Sequence, residues 1–175
     1  LPVTFSWGMA KLHGDRVTSR GFDDKAGSFV VAEVLRQVAG AAKKLQIDLY
    51  GISSVQEEVG LRGGGTSSYS VDPDIGICVE VDFSTDQPDV EKKHNGDVGL
   101  GKGPILPRGP NINPPLLELL ADTARKEKIP VQFTGIPKAS GTDANAMQIS
   151  RGGVATALVK IPLRYMHTPV EVLSL

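Results

Sequence analysis

Hydrophobic and polar residues recur along this chain with two different periods, which predict an alternating series of helices and strands. Apolar residues at helical spacing predict helices over residues 26–45, 66–71, 114–127 and 141–149. Apolar and β-branched runs predict strands over residues 2–7, 16–19, 47–55, 75–81, 129–133 and 154–161. Turn-forming residues dominate residues 83–111, so this long segment is predicted to be a functional loop.

The order of these elements predicts an α/β fold, a three-layer αβα domain with a largely parallel central sheet. Strand 75–81 is apolar at nearly every position, as expected for a parallel strand that is covered on both faces. With 175 residues, of which 40% are hydrophobic, the chain is long enough to bury the core of one globular domain.

Charge and cysteine content disfavour two classes of protein. The formal net charge is -1, and the Lys and Arg residues are scattered, so no nucleic-acid partner is expected. No apolar run approaches the ~20 residues of a membrane-spanning helix, so no membrane partner is expected either. Cys78 is the only cysteine and lies in an apolar run, which favours a core residue in a reducing compartment. A cytoplasmic location is therefore predicted.

Acidic residues and one histidine stand where the predicted elements begin or end. Residues 23–24 (DD) precede the first long helix, residues 57–58 (EE) and Asp82 each follow a strand, and His167 follows the last strand. Taken singly, each has a local explanation as a helix cap, a turn residue or a solvated acidic pair. Because the carboxyl ends of parallel strands meet at one edge of a sheet, together they match the oxygen and nitrogen ligands of zinc or cobalt.

Five sequence motifs occur along the chain: GFDDKAG at 21–27, VQEEVGLRG at 55–63, VEVD at 79–82, GTDA at 141–144 and IPLRYMHTP at 161–169. In this order they resemble the motifs of the glutamyl and deblocking aminopeptidases, dinuclear metallopeptidases that form tetrahedral particles. Some relatives of that family are labelled endoglucanases. The resemblance covers nearly the whole chain and implies a zinc-peptidase-like catalytic domain over residues 21–175, peptide substrates and a homo-oligomer, which is a tetrahedral dodecamer in the family.

The resemblance also implies which residues bind metal. Asp23 resembles the carboxylate that bridges two divalent metal ions, zinc or cobalt, which suits a group with two oxygens. Glu58 and His167 resemble ligands of one metal, and Asp82 resembles a ligand of the other.

The remaining implied roles concern catalysis and the substrate pocket. Glu57 resembles the general base that takes a proton from a metal-bound water and returns it to the leaving amine. Asp24 is expected to contact the metal ligands without binding metal itself, and to be joined to Asp23 by a cis peptide bond. Residues 141–143, which are Gly141, Thr142 and Asp143, are expected to line the pocket, although a helix cap explains them equally well.

The chain also departs from the family pattern. Family members carry a further metal-binding His in an N-terminal segment, followed by an inserted dimerisation domain, and neither is present here. Residues 1–20 resemble the β-rich return from that insert, so the N-terminal part of the catalytic domain is expected to be missing. The departures imply one tightly bound metal, a second held weakly, low peptidase activity, and a sheet edge and helix faces left uncovered.

Several alternatives remain at this point. His13 and His94 match no ligand in the resemblance, and surface positions are favoured for both. Residues 99–103 (GLGKG) lack the strand, helix and Ser/Thr that a phosphate loop requires. The leading function is a metal-dependent aminopeptidase; an N-acyl-amino-acid amidohydrolase and a catalytically silent subunit are the alternatives. An endoglucanase is disfavoured because only 5% of residues are aromatic.

Overall fold

The fold consists of two sheets with helices packed on them. The structure is a computed structural model, and it describes residues 1, 3, 6, 8–40 and 45–175. The helices are α1 (Phe22–Ala39), α2 (Arg62–Val71), α3 (Lys92–Asn95), α4 (Pro114–Lys126) and α5 (Asp143–Gln148). The strands are β1 (Ala10–Lys11), β2 (Arg16–Ser19), β3 (Ile75–Phe83), β4 (Ile105–Arg108), β5 (Gln132–Gly135), β6 (Ala155–Leu163) and β7 (Glu171–Ser174).

The central sheet has the strand order β3-β6-β4-β5. β3 pairs with β6 in parallel from Ile75 opposite Ala155 to Phe83 opposite Leu163, and β4 pairs with β5 in parallel. β4 and β6 are antiparallel. The predicted α/β fold with a mostly parallel sheet is confirmed. Because β3 and β6 run in the same direction and in register, the residues that follow both strands meet at one edge.

The central sheet is covered on both faces, which gives the three layers. On one face, Cys78 and Leu158 pack against Ala144 of α5 and Leu117 and Ala121 of α4. On the opposite face, a second cluster joins the sheet to β2, β7 and the start of α1: Val17, Val81, Leu163 and Leu173, with Phe22 and Ala26 packed against them. Alternate residues of β3 face opposite sides of the sheet. The side of Cys78 is buried along the strand, whereas on the other side Val81 is buried but Ile75 and Ile77 are exposed.

A second, smaller sheet has the order β1-β2-β7, with antiparallel pairing throughout. β2 was predicted with its observed bounds, whereas β1 and β7 were not predicted. Within the predicted strand 2–7, residues 2, 4, 5 and 7 lie outside the described residues. The small sheet joins the first twenty residues to the last ones through Ser19 opposite Glu171, and the proposed division at residue 20 stays a prediction.

The strand predicted over residues 47–55 is wrong. The segment pairs with no strand in the described part of the chain, and the side chains of Ile47, Tyr50 and Val55 are 63–67% exposed. It runs instead beside α1, where Gly51 lies against Leu35. An apolar, β-branched pattern makes an extended chain favourable, but a strand also needs a neighbour with which to form its ladder of hydrogen bonds.

Helix positions were better predicted than helix ends. α1 is assigned from Phe22, but Asp23 and Asp24 have non-helical backbone angles. It ends at Ala39, whereas the prediction extended it to residue 45, and residues 41–44 lie outside the described residues. α2 begins four residues before its predicted start. α4 begins as predicted because Asn113 caps it by accepting a hydrogen bond from the Leu116 amide, and prolines follow that cap.

The segment 83–111, predicted to be one long loop, contains α3 and β4. β5 lies slightly later than its predicted range, and β6 extends two residues further. Across the described residues, no helix is both long enough and apolar enough to cross a membrane.

Candidate active site

A cavity of about 470 Å³ opens beside the carboxyl ends of β3 and β6. Its wall comes from segments that are far apart in sequence: the start of α1, the turn over residues 57–61, the end of β3, residues 141–142 and the turn after β6. The parallel pairing of β3 and β6 explains why the segments after these strands meet there.

Asp23, Glu58 and His167 form a cluster at this cavity. One side-chain ligand atom from each lies within 4.8 Å of the others. The Nε2 atom of His167 is 3.0 Å from Oδ2 of Asp23 and 4.0 Å from Oε2 of Glu58. Two carboxylates and an imidazole around one point form a donor set that fits zinc or cobalt.

The charges in this cluster also favour a cation. Burial raises the pKa of Asp23, and the neighbouring Glu58 carboxylate raises it further, while His167 acts in the opposite direction. Neighbouring carboxylates repel one another unless they share a positive charge. A divalent ion would relieve this repulsion.

Asp23 is positioned by an irregular first turn. Its peptide bond to Asp24 is cis, as the resemblance implies, and Gly21 precedes α1 with a left-handed backbone. The Asp24 side chain turns inward and accepts a hydrogen bond of 2.8 Å from the Gly27 amide. Burial raises the pKa of Asp24 to about 7, and Asp23 and Glu57 add to the shift despite the opposing effect of the Gly27 hydrogen bond.

A methyl group at position 27 is expected to disrupt this first turn. A Cβ on Gly27 would collide with the Asp24 carboxylate and would lie 2.7 Å from the carbonyl oxygen of Val79 in β3. We expect Gly27→Ala to lower the free energy of unfolding by about 1–3 kcal/mol, as over-packing usually does. Thermal denaturation measures this. Gly40→Ala is the control, because a Cβ on Gly40 would meet no atom of the described residues within 4 Å; an equal loss in both variants would contradict the explanation.

Glu57 lies on the same cavity but outside the three-residue cluster. Its backbone carbonyl accepts hydrogen bonds from Gly60 and Leu61, which closes a tight turn and separates Glu57 from the start of α2. Burial raises the pKa of Glu57 to about 7, and the charges of Glu58 and Asp143 add to this shift. A carboxyl group with a pKa near neutrality suits a general base or acid.

Asp82 lines the cavity, but its carboxylate has other partners. Oδ2 accepts a 2.8 Å hydrogen bond from Nζ of Lys160, whose side chain is 9% exposed, and Oδ1 accepts one from the Phe83 amide. The structure therefore does not bring Asp82 into the cluster of Asp23, Glu58 and His167.

Glu80 is a cavity residue that the sequence reasoning missed. It lies two positions before Asp82 on the same face of β3, and it is 7% exposed. Burial raises the pKa of Glu80 to about 8, with further increases from Asp24, Glu57 and Asp23. Its carboxylate accepts a hydrogen bond of 3.0 Å from the amide of the next residue, Val81. Its carboxylate is thus close to the cluster's charges.

The predicted pocket residues 141–143 divide into two groups. Gly141 and Thr142 line the cavity. Asp143 is buried beside it, accepts a hydrogen bond from the Ser54 hydroxyl, and packs against Gly64 of α2. Thr142 makes no side-chain cap for α5, so the capping explanation does not apply to it.

His94 and His13 lie away from the cavity, in agreement with their predicted surface positions. His94 is 3.6 Å from Glu91 on the short helix α3, and both side chains are exposed. His13 is exposed in the turn between β1 and β2. Neither belongs to the cluster at the cavity.

Comparison with known proteins agrees with the resemblance. The sequence profile of the M42 glutamyl aminopeptidases matches residues 2–175. Lysyl aminopeptidase from Pyrococcus furiosus is 41% identical over 167 residues, which are 95% of this chain and 46% of that protein.

Solved structures of TET peptidases are also similar to this chain. The TET aminopeptidase of a marine sediment archaeon of the Thaumarchaeota has a TM-score of 0.87 at 34% identity, over 95% of this chain and 47% of that one. The TET1 peptidase of Pyrococcus horikoshii, which can assemble into a tetrahedron or a large octahedral shell, has a TM-score of 0.77 at 26% identity, over 97% and 48%. The chain spans about half the length of these relatives. By sequence and by fold, it belongs to the M42 glutamyl aminopeptidase family.

Proposed function

We propose that this protein is a metal-dependent aminopeptidase that removes residues from the free N-termini of peptides. The observation that carries the proposal is the cluster of Asp23, Glu58 and His167 with Glu57 beside it in one open cavity. The names of the relatives, which are aminopeptidases, support the same class of reaction.

In this proposal Asp23, Glu58 and His167 hold one divalent metal ion. Three protein ligands are the number usual at an open catalytic zinc site. When bound, such an ion polarises the peptide carbonyl and makes water more acidic. The carboxylate of Asp23 has a second oxygen, so it can also serve a second ion.

Glu57 is the proposed proton carrier. It reaches the cavity without belonging to the metal cluster, so its carboxylate is free to act on other groups there. It accepts a proton from the attacking water and delivers that proton to the leaving amine. Because its pKa is raised to about 7, the carboxylate can both accept and release a proton near neutral pH.

For the second ion we propose Glu80 in preference to Asp82. Asp82 is already neutralised by Lys160, whereas the Glu80 carboxylate is buried near Asp23 and Glu57, with no cationic side chain bonded to it among the described residues. With only Asp23 and Glu80 available to it in this arrangement, the second ion is expected to bind weakly. Zinc or cobalt is the expected metal.

Replacing Glu80 and Asp82 separately should distinguish them. Glu80→Gln is expected to weaken binding of the second metal by about tenfold or more, because it removes one of the two carboxylate charges proposed to hold that ion; this is at or above the lower end of the range for residues that only support a ligand. Asp82→Asn is the matched control and should leave that affinity unchanged. Equilibrium dialysis with elemental analysis measures both. Loss of the second metal only in Asp82→Asn would show that Asp82 leaves Lys160 to bind it.

The assembly is also expected to follow the relatives. We propose a homo-oligomer, because P. horikoshii TET1 assembles into closed shells and because large apolar side chains are exposed on and after α1, including Phe29 at 70% and Tyr50 at 63%. Light scattering should give a mass above that of one 18.5 kDa chain. A strictly monomeric protein across the micromolar range would contradict this.

A substrate comparison tests the proposed reaction. With Zn²⁺ or Co²⁺ present, release of amino acids is expected from peptides with free N-termini and not from the same peptides after N-acetylation. N-acyl amino acids serve as the third substrate class. Hydrolysis of those alone would indicate an amidohydrolase, and metal binding without any hydrolysis would indicate a silent subunit.

A further inference from the structure

Glu171 is a buried acidic residue that connects two parts of the candidate active site. It is the first residue of β7 and is 2% exposed. Its Oε2 atom accepts a hydrogen bond of 3.3 Å from the backbone amide of Asp23, and its Oε1 atom accepts one of 3.2 Å from the amide of His167. One carboxylate thus joins the start of α1 to the turn after β6.

The chemistry of this arrangement requires a carboxylate. Two backbone N–H groups approach the two oxygens of one side chain, and a carboxylate offers an acceptor at both. A buried charge is costly unless hydrogen bonds satisfy it, so a residue with no role at this place would more often be neutral. The two amides belong to the two residues whose side chains are 3.0 Å apart in the cluster.

Both amides belong to backbone that is irregular. His167 has a left-handed backbone with φ of 65°, and Asp23 lies in the non-helical first turn of α1. Such conformations persist only when surrounding contacts hold them. The turn around His167 is also tied by hydrogen bonds between Arg164 and Val172, but those bonds do not reach Asp23.

We propose that Glu171 is a positioning residue that sets the distance between the Asp23 carboxylate and the His167 imidazole by holding both backbone amides. This inference rests on the proposed metal site. The Glu171 carboxylate also brings a negative charge beside the backbone of Asp23 and His167. Positioning and charge are therefore two separable contributions, and the variants below separate them.

The experiment measures Co²⁺ binding and the visible absorption spectrum of the bound Co²⁺, which reports ligand geometry. Glu171→Gln removes the charge and leaves one amide facing an NH₂ group. Glu171→Asp keeps the charge, but its shorter side chain cannot hold both amides. Both variants are expected to bind Co²⁺ about 10- to 100-fold more weakly, the range for residues that orient metal ligands, with an altered spectrum.

Asp86→Asn is the matched control. The Asp86 carboxylate also accepts a backbone amide hydrogen bond, from Leu100, and it pairs with Arg164 at the end of β6, yet it contacts neither Asp23 nor His167. It should lower thermal stability and leave the Co²⁺ affinity and spectrum unchanged. An equal change in Asp86→Asn would show that general loosening of this region, not positioning, explains the effect.

The outcomes separate this inference from the proposed function. If the unmodified protein binds no Co²⁺, the metal site itself is wrong. If it binds Co²⁺ and both folded Glu171 variants match it in affinity and spectrum, the positioning role is overturned. If Glu171→Gln binds Co²⁺ weakly but Glu171→Asp has the affinity and spectrum of the unmodified protein, the charge alone matters. The positioning role is then also overturned. Should Glu171→Gln fail to fold, Glu171→Asp decides.

Discussion

Replacing Glu57 with glutamine is expected to lower kcat by about a hundredfold or more, while the protein keeps its metal. Glutamine has nearly the same shape as glutamate but cannot accept a proton from water. Glu57 lies on the cavity outside the cluster of Asp23, Glu58 and His167, so removal of its charge leaves those three groups in place. Steady-state kinetics on a peptide with a free N-terminus, together with elemental analysis, measures both properties.

Glu118→Gln is the control for this variant. Glu118 is an exposed carboxylate that pairs with Arg108 and does not line the cavity, so kcat should not change. Loss of metal from Glu57→Gln would show that the roles of Glu57 and Glu58 are exchanged. Retention of full kcat would show that Glu57 is not the group that carries the proton.

The same substitution one residue later is expected to have a different effect. Glu58→Gln should weaken binding of the first metal by at least about a hundredfold, at or above the upper end of the range for residues that only support a ligand. Oε2 of Glu58 is 4.0 Å from Nε2 of His167, and both groups belong to the three-residue cluster. An amide keeps one oxygen donor but loses the charge that attracts the ion.

Comparing the two variants at equal metal concentrations provides a matched test. At high Zn²⁺ or Co²⁺, Glu58→Gln should recover part of its activity, whereas Glu57→Gln should not, because added metal cannot replace a proton acceptor. Metal titration followed by activity measurement distinguishes them. Recovery of Glu57→Gln alone would contradict both assignments.

The well-predicted parts of the fold are those in which local pattern and tertiary packing agree. Strand 75–81 was recognised from its continuous apolar run, of which one face is buried, and α4 because Asn113 and the following prolines mark its start. Residues 47–55 have an equally apolar pattern but gain no strand partner among the described residues. β7 was missed because its four residues form a strand only through pairing with β2, far away in sequence.

The same limit applies to the candidate site. Searching the ends of predicted elements led to Asp23, Glu58 and His167, but only His167 follows one of the parallel strands β3 and β6, since residues 47–55 before Glu58 form no strand. That search selected Asp82, which follows the predicted strand 75–81, and did not consider Glu80 within it. The alternation of β3 puts both on one face. The register with β6 places Lys160 opposite Glu80, and the Lys160 side chain extends to Asp82. The contacts of Glu171 likewise depend on tertiary structure.

The most direct test of the proposed metal site is a crystal structure of the protein grown with zinc, with diffraction data collected on both sides of the zinc absorption edge. We expect an anomalous peak within about 2.0–2.2 Å of an oxygen of Asp23, an oxygen of Glu58 and a ring nitrogen of His167. A peak bound by other residues, or no peak at this cavity when zinc is saturating, would contradict the proposed site.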